Sequence, residues 1–193
     1  MEPDAMTVPI PEPSHQDCWM SRDRAVVGRA GAEKGRDGNR RGMDNKGMID
    51  ALVGRRAMAA SRGDLDSMLI DVADDVVLFD VVVPLRHHGR EAVRRRLAEW
   101  LGTYEGYPGW ENVEVHISTG ESVAFAHMIS HVTGTLQTGA EVDMWFRTTV
   151  GLERRNGRWL IVHDHQSDPF NPGSGLAMTG LRPEPGAGTG VDR

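Results

Sequence analysis

Two periods of apolar spacing run through residues 44–171, and the change from one to the other divides this stretch into a helical part and a stranded part. Ile49, Leu52, Val53, Ala57 and Ala60 recur at the spacing of one helix face, and Gly63 follows where a helix C-terminus favours glycine. Asp64 is placed to cap a second, short helix carrying Leu65, Met68, Leu69 and Val72. The run VVLFDVVV over residues 76–83 is apolar and rich in β-branched side chains and stops at Pro84, which predicts a strand. Gly89 then precedes REAVRRRLAEWL, where Val93, Leu97 and Trp100 form an apolar stripe opposite Arg94, Arg95 and Glu99, the pattern of a third helix.

From Trp110 the period changes to two. NVEVHIS, VAFAHMISHVTGTLQ, VDMWFRTTVGLER and RWLIVHDHQS read as four strands, joined by the turn signals TGES, TGAE and Asn156-Gly157. Consecutive hairpins make a curved antiparallel sheet, and helices covering one face give an α+β fold with a cone-shaped interior suited to a small molecule. Residues 1–43, with their prolines and the charged, glycine-rich run RAGAEKGRDGNRRGM, are expected to be a disordered extension. Residues 172–193, again rich in glycine and proline, are expected to be a flexible tail, which leaves residues 44–171 as the folded domain.

The stretch GDLDSMLIDVADDVVLFD (63–80), the following His-His-Gly-Arg-Glu (87–91) and the ending WFRTTVGLERRNGRWLIVHDHQSDPF (145–170) carry a family resemblance. Over roughly residues 46–171 the chain resembles the ketosteroid-isomerase-like, or nuclear-transport-factor-two-like, superfamily. Within it, the chain looks like the SnoaL-like polyketide cyclases and related bacterial groups. The resemblance implies a cystatin-like α+β barrel of curved sheet and three helices, a homodimer through the sheet, and cofactor-independent isomerase, cyclase or dehydratase chemistry. The same fold also hosts pure binding and association modules. By the same resemblance Asp80 occupies the place of the general base of ketosteroid isomerase, while Arg56 and Thr149 stand near the places of that enzyme's two oxyanion donors.

The residues themselves support a candidate site. A carboxylate at Asp80, sharing a strand face with Val76 and Leu78, would point into an apolar region and suit general-base work, or else pair with a cation such as Arg147 for structure alone. On the last strand strict alternation puts Trp159, Ile161, His163, His165 and Ser167 on one face, and the hairpin at Asn156-Gly157 sets them beside Trp145, Arg147 and Thr149. Arg147 could hold an enolate or carboxylate, a histidine could move a proton near neutral pH, and Trp145 could stack on a flat ring. The catalytic set expected on these grounds is Asp80, His163, His165 and Arg147, with Trp145, Thr149, Ser167 and Arg56 binding substrate. The competing readings are a buried polar network and a metal held by His163 and His165 with His127 or His131; no third ligand stands at a compelling spacing, and no metal or other cofactor is expected.

Composition narrows the partners. A formal charge of −6 and a pI near 5.7 disfavour general nucleic-acid binding and leave a small hydrophobic molecule, polyketide-like or aromatic, as the expected ligand. Cys18 is the only cysteine, so neither a disulfide framework nor a cysteine zinc site can form within the chain. No apolar stretch approaches the roughly 18 residues of a membrane span, and the N-terminus lacks the basic start and apolar run of a secretory signal, so a cytoplasmic location is expected.

Overall fold

The computed structural model describes residues 35–184, with side chains from Asn45 onward, and the expectations for residues 1–34 and 185–193 lie outside the described residues. Helix α1 spans Gly35–Ala60 and buries Ile49, Leu52, Val53, Ala57 and Ala60, the positions its apolar spacing singles out. It begins upstream of residue 44, inside the stretch expected to be irregular. Once the apolar face of the later turns is buried, each further helical residue adds a hydrogen bond without a new nucleation cost. At its end Gly63 takes φ +66°, and a Cβ there would stand 2.1 Å from the Tyr107 ring, so both conformation and space require glycine.

Asp64 caps α2 (Leu65–Leu69), accepting from the backbone N–H of Ser67 at 3.0 Å and from its hydroxyl at 2.6 Å. Strand β1 covers Val72–Phe79, so it starts and ends four residues earlier than the 76–83 expected: Val72 lies in the strand, not in the second helix. A loop then runs to the two-residue strand β2 (His87–His88), and Gly89 opens α3 (Arg90–Leu101). The long strands are β3 (Gly109–Thr119), β4 (Val123–Thr135), β5 (Glu141–Arg155) and β6 (Arg158–Ser167). Asn156 and Gly157 both take positive φ at the β5–β6 turn, the geometry an Asn-Gly hairpin demands.

The six strands form one curved, unclosed sheet in the order β2-β1-β6-β5-β4-β3, an α+β architecture as expected. It is not antiparallel throughout, because β1 enters beside β6 in parallel, reached from the helices and not from a hairpin. The inner face and the helices share the core: Val76 and Leu78 of β1, Ala126 and Met128 of β4, Val150 and Leu152 of β5 and Trp159 and Ile161 of β6 pack with Ile49, Leu52, Val93 and Leu97. Among the described residues no helix is long and apolar enough to cross a membrane.

Two irregularities reset which side chains face the core. At Glu114, φ +52°, the β3–β4 register slips, so Trp110 and Asn112 face inward before it and Val115 and Ile117 after it. In β6 the register slips between Ile161, opposite Leu152, and His163, opposite Gly151. Val162 is the extra residue of this β-bulge. Trp159 and Ile161 are buried before it, and Asp164 is buried after it while His165 is exposed. The two histidines therefore lie on the outer face, opposite the side that strict alternation predicts.

The C-terminal segment makes contacts with the sheet as far as Arg182. The Trp145 backbone N–H donates to the Thr179 carbonyl at 3.0 Å, Phe170 bridges Ala177, and Arg182 pairs with Asp143, so the first part of the stretch expected as a tail contacts the sheet as far as Arg182. Asp143 belongs to a charged cluster centred on His131, whose Nδ1 lies 2.8 Å from Glu111 and Nε2 2.7 Å from Asp143 while its ring stacks on Trp145 at 3.9 Å. Partial burial pulls the His131 pKa down, but hydrogen bonds to the two carboxylates outweigh it and hold the pKa above the ordinary value. A raised folded-state pKa means that this stabilisation is complete below the ordinary imidazole range and is lost as pH rises through the raised value. We predict that urea unfolding shows this loss for the wild type and a flatter profile for His131→Gln; equal pH slopes for the two proteins would exclude the clamp.

Candidate functional site

An interior cavity of about 140 Å³ lies between the helices and the inner sheet face. Its apolar walls come from Leu78, Leu97, Trp100, Trp110, Val132, Met144 and Phe146, and its polar groups are Arg56, Asp80, Arg96 and Gln166. Trp110 anchors the aromatic wall. Its ring meets Trp100 at 5.5 Å and Phe146 at 6.1 Å, both edge-on, and its Nε1 donates to Asn112 Oδ1 at 3.0 Å. Asn112 is held in turn by the buried Ser130 hydroxyl at 2.9 Å, and Ser130 bonds Thr148 at 2.7 Å, so a polar chain crosses β3, β4 and β5 behind the aromatic rings.

Two ion pairs supply the charge. Asp80 follows the end of β1 with its side chain 6 % exposed, and its Oδ2 sits 2.7 Å from Arg96 Nε on α3. Asp80 Oδ1 accepts from the Val82 N–H at 3.3 Å, so the carboxylate is held from both sides. Deeper in, Arg56 of α1 donates from Nη1 to Asp164 Oδ2 of β6 at 2.6 Å, with both side chains at least nine-tenths buried. This pair leaves two groups over: Arg56 Nε and Asp164 Oδ1 are buried with no hydrogen-bond partner. Arg96 Nε also lacks an aligned acceptor, its short contact with Asp80 being an ion contact and not an in-line hydrogen bond.

Of the residues expected from sequence, Asp80 and Arg56 meet at this cavity. The other six do not. His163, His165, Arg147, Trp145, Thr149 and Ser167 do come together, since Thr149 is paired with His165 and Arg147 with Ser167, but on the outer side of the sheet. The cause is the bulge at Val162, together with a β5 phase that turns Phe146, Thr148 and Val150 inward. His163 Nδ1–H donates to the Val77 carbonyl at 2.9 Å, and Phe79 meets both imidazoles edge-on, so the pair has structural work on that face. Arg147 is not the partner of Asp80; Arg96 is. His127 stacks on His116 at 5.1 Å, and among the described residues no group of three or more His, Cys, Asp or Glu side chains could hold a metal ion.

Sequence reasoning missed Arg96, Asp164 and Gln166. Arg96 was legible: it stands three residues after Val93 and four before Trp100, inside the apolar stripe of α3, where a guanidinium needs a buried partner. Asp164 and Gln166 were not, because Trp159, Leu160, Ile161 and Val162 are all apolar and give alternation no phase.

The comparisons with known proteins bear on the family and the fold. The family model described as a SnoaL-like domain matches residues 49–171. Among solved structures, an NTF2-like protein of unknown function from Pseudomonas putida KT2440 is 25% identical with a TM-score of 0.67, over 73% of this chain and 98% of that one. A candidate dehydratase of the NTF2-like family from Streptomyces avermitilis is 18% identical with a TM-score of 0.57, over 65% and 97%. An NTF2-like protein with a cystatin-like fold from Novosphingobium aromaticivorans is 16% identical with a TM-score of 0.59, over 70% and 89%; these last two show the fold alone. No curated protein matches the sequence.

The buried pair gives a stability prediction. Arg56→Met leaves the Asp164 carboxylate buried without a counter-charge and is expected to cost about 3–5 kcal/mol. The double change Arg56→Met with Asp164→Leu should recover most of this in urea unfolding, since two apolar side chains can replace a buried pair at little cost. A single variant as stable as wild type would show that the pair is not desolvated.

Proposed function

Because the chain belongs to the SnoaL-like domain family and has a mostly apolar cavity between its helices and sheet, we propose that it is a cofactor-independent acid–base enzyme acting on an enolisable carbonyl compound. The observation that carries this reading is Asp80: a nearly buried carboxylate, oriented by Arg96 and Val82, that lines an otherwise mostly apolar cavity together with a second guanidinium, Arg56. In this reading Asp80 removes a proton from the carbon next to the carbonyl, and negative charge builds on the carbonyl oxygen. Arg56, locked by Asp164, supplies fixed positive charge and a free N–H to that oxygen, stabilising the enolate without reorganising.

Of isomerisation, cyclisation and dehydration, isomerisation fits these groups best. It needs one base that takes a proton and returns it to another carbon of the same molecule, and Asp80 is the only carboxylate among the cavity-lining residues. The proton return once expected from His163 or His165 has no support, since both side chains sit across the sheet. The test is conversion of cyclohex-3-enone to cyclohex-2-enone, followed by the rise in conjugated-enone absorbance. Asp80→Asn should slow it by at least about a hundredfold, the usual scale of a general base, with the fold intact. Equal rates would remove Asp80 from the mechanism.

A second reading, association of two copies through the outer sheet face, is favoured by one observation. Phe79 and Phe125 on that face stay 38 % and 49 % exposed, an aromatic area that a partner would cover. Sedimentation should then give a dimer for the wild type and a monomer for Phe125→Asp; a wild-type monomer at tens of micromolar would exclude it.

A further inference from the structure

We propose that the cavity selects an uncharged molecule of one six-membered ring carrying an acceptor oxygen, seated on Arg56, and that fused-ring and anionic compounds are disfavoured. This rests on the reading of the cavity as the functional site and goes on to fix the class of compound it takes. Three features carry it.

Size comes first. The cavity is about 140 Å³, close to the roughly 150 Å³ that accommodates a benzene ring in an apolar protein interior. One ring fits within that volume, whereas two fused rings would have to fill it entirely or reach past its rim at the exposed Val82. Three of the cavity's wall residues cannot easily retreat: Trp110 is pinned by its bond to Asn112 and wedged between Trp100 and Phe146, and Val132 and Leu78 are fully buried core residues. Close-packed surroundings of this kind resist expansion.

Charge comes second. The cavity brings together two guanidiniums, and each already has a carboxylate, Asp164 at 2.6 Å from Arg56 and Asp80 at 2.7 Å from Arg96. The four charges sum to zero, so a ligand anion would enter a buried site with no unpaired cation to receive it and would lose its hydration uncompensated.

The third feature is hydrogen-bonding capacity. Arg56 is 8 % exposed, lines the cavity and has a buried Nε–H with no acceptor. A buried donor left unmade is costly, and a carbonyl or hydroxyl oxygen on the ligand is the group that satisfies it. Apart from Arg56, Asp80, Arg96 and Gln166, the walls include Trp100, Trp110, Phe146, Met144 and Leu97, which offer ring faces, ring edges and a thioether to a flat or nearly flat ring.

The experiment is calorimetric titration of the full chain with cyclohex-2-enone, 1-tetralone and benzoate. Cyclohex-2-enone should bind at least tenfold more tightly than either of the others. The double variant Arg56→Met with Asp164→Leu, chosen because it leaves no buried charge unpaired, should lose at least tenfold for cyclohex-2-enone, with its folding verified by circular dichroism and urea unfolding. Binding of 1-tetralone or benzoate as tight as that of the enone, no binding of the enone, or undiminished binding by the double variant would each overturn the proposal. Asp80→Asn separates the two readings. If it abolishes turnover and keeps the preference for one ring over two, both stand, with benzoate now gaining affinity because Arg96 has lost its carboxylate; if turnover survives while the size preference holds, the catalytic reading fails and the ligand class remains.

Discussion

The Arg56–Asp164 ion pair is the contact on which the arrangement of this domain turns. It joins the middle of the first helix to the last strand across the core, with Asp164 only 2 % exposed, and it sets the helix at the depth where Arg56 reaches the cavity. A charge pair at that depth carries a large desolvation cost that neighbouring groups must offset. Here the offset is incomplete, since one nitrogen of Arg56 and one oxygen of Asp164 have no partner.

The pair depends on one inserted residue. The bulge at Val162 turns Asp164 and Gln166 inward and His163 and His165 outward, and without it the last strand would present imidazoles to the core and a carboxylate to solvent. The sheet thus separates two kinds of chemistry. The inner face has aromatic rings, a hydroxyl chain and two ion pairs around a small volume; the outer face has stacked histidines, exposed phenylalanines and the C-terminal segment fastened through Asp143.

Much of the fold was legible in the sequence, because its determinants are local. Apolar spacing in the first helix, the Asp64 cap, the positive-φ glycine at 63 and the Asn156-Gly157 turn each act within a few residues, and each appears where its pattern places it. Asp80 and Arg56, the positions that the family resemblance singles out on the first strand and first helix, both line the cavity. What alternation could not deliver was the phase of the last strand after a bulge, since four consecutive apolar residues fit either face until a tertiary partner chooses. The pairing of Asp80 is a different matter: the place of Arg96 in the apolar stripe of α3 marks it as needing a buried partner, but only the packing of that helix beside the end of the first strand shows that the partner is Asp80, sixteen positions earlier.

The central claim is that ligands enter the inner cavity and not the histidine-bearing outer face. Nitrogen-15 chemical-shift mapping during titration with cyclohex-2-enone tests it most directly. The account predicts that the indole N–H signals of Trp100 and Trp110 and the Arg56 Nε–H move with one saturating isotherm while the ring nitrogens of His163 and His165 stay in place. Shifts confined to the two histidines, with the tryptophan and Arg56 signals unmoved, would contradict it.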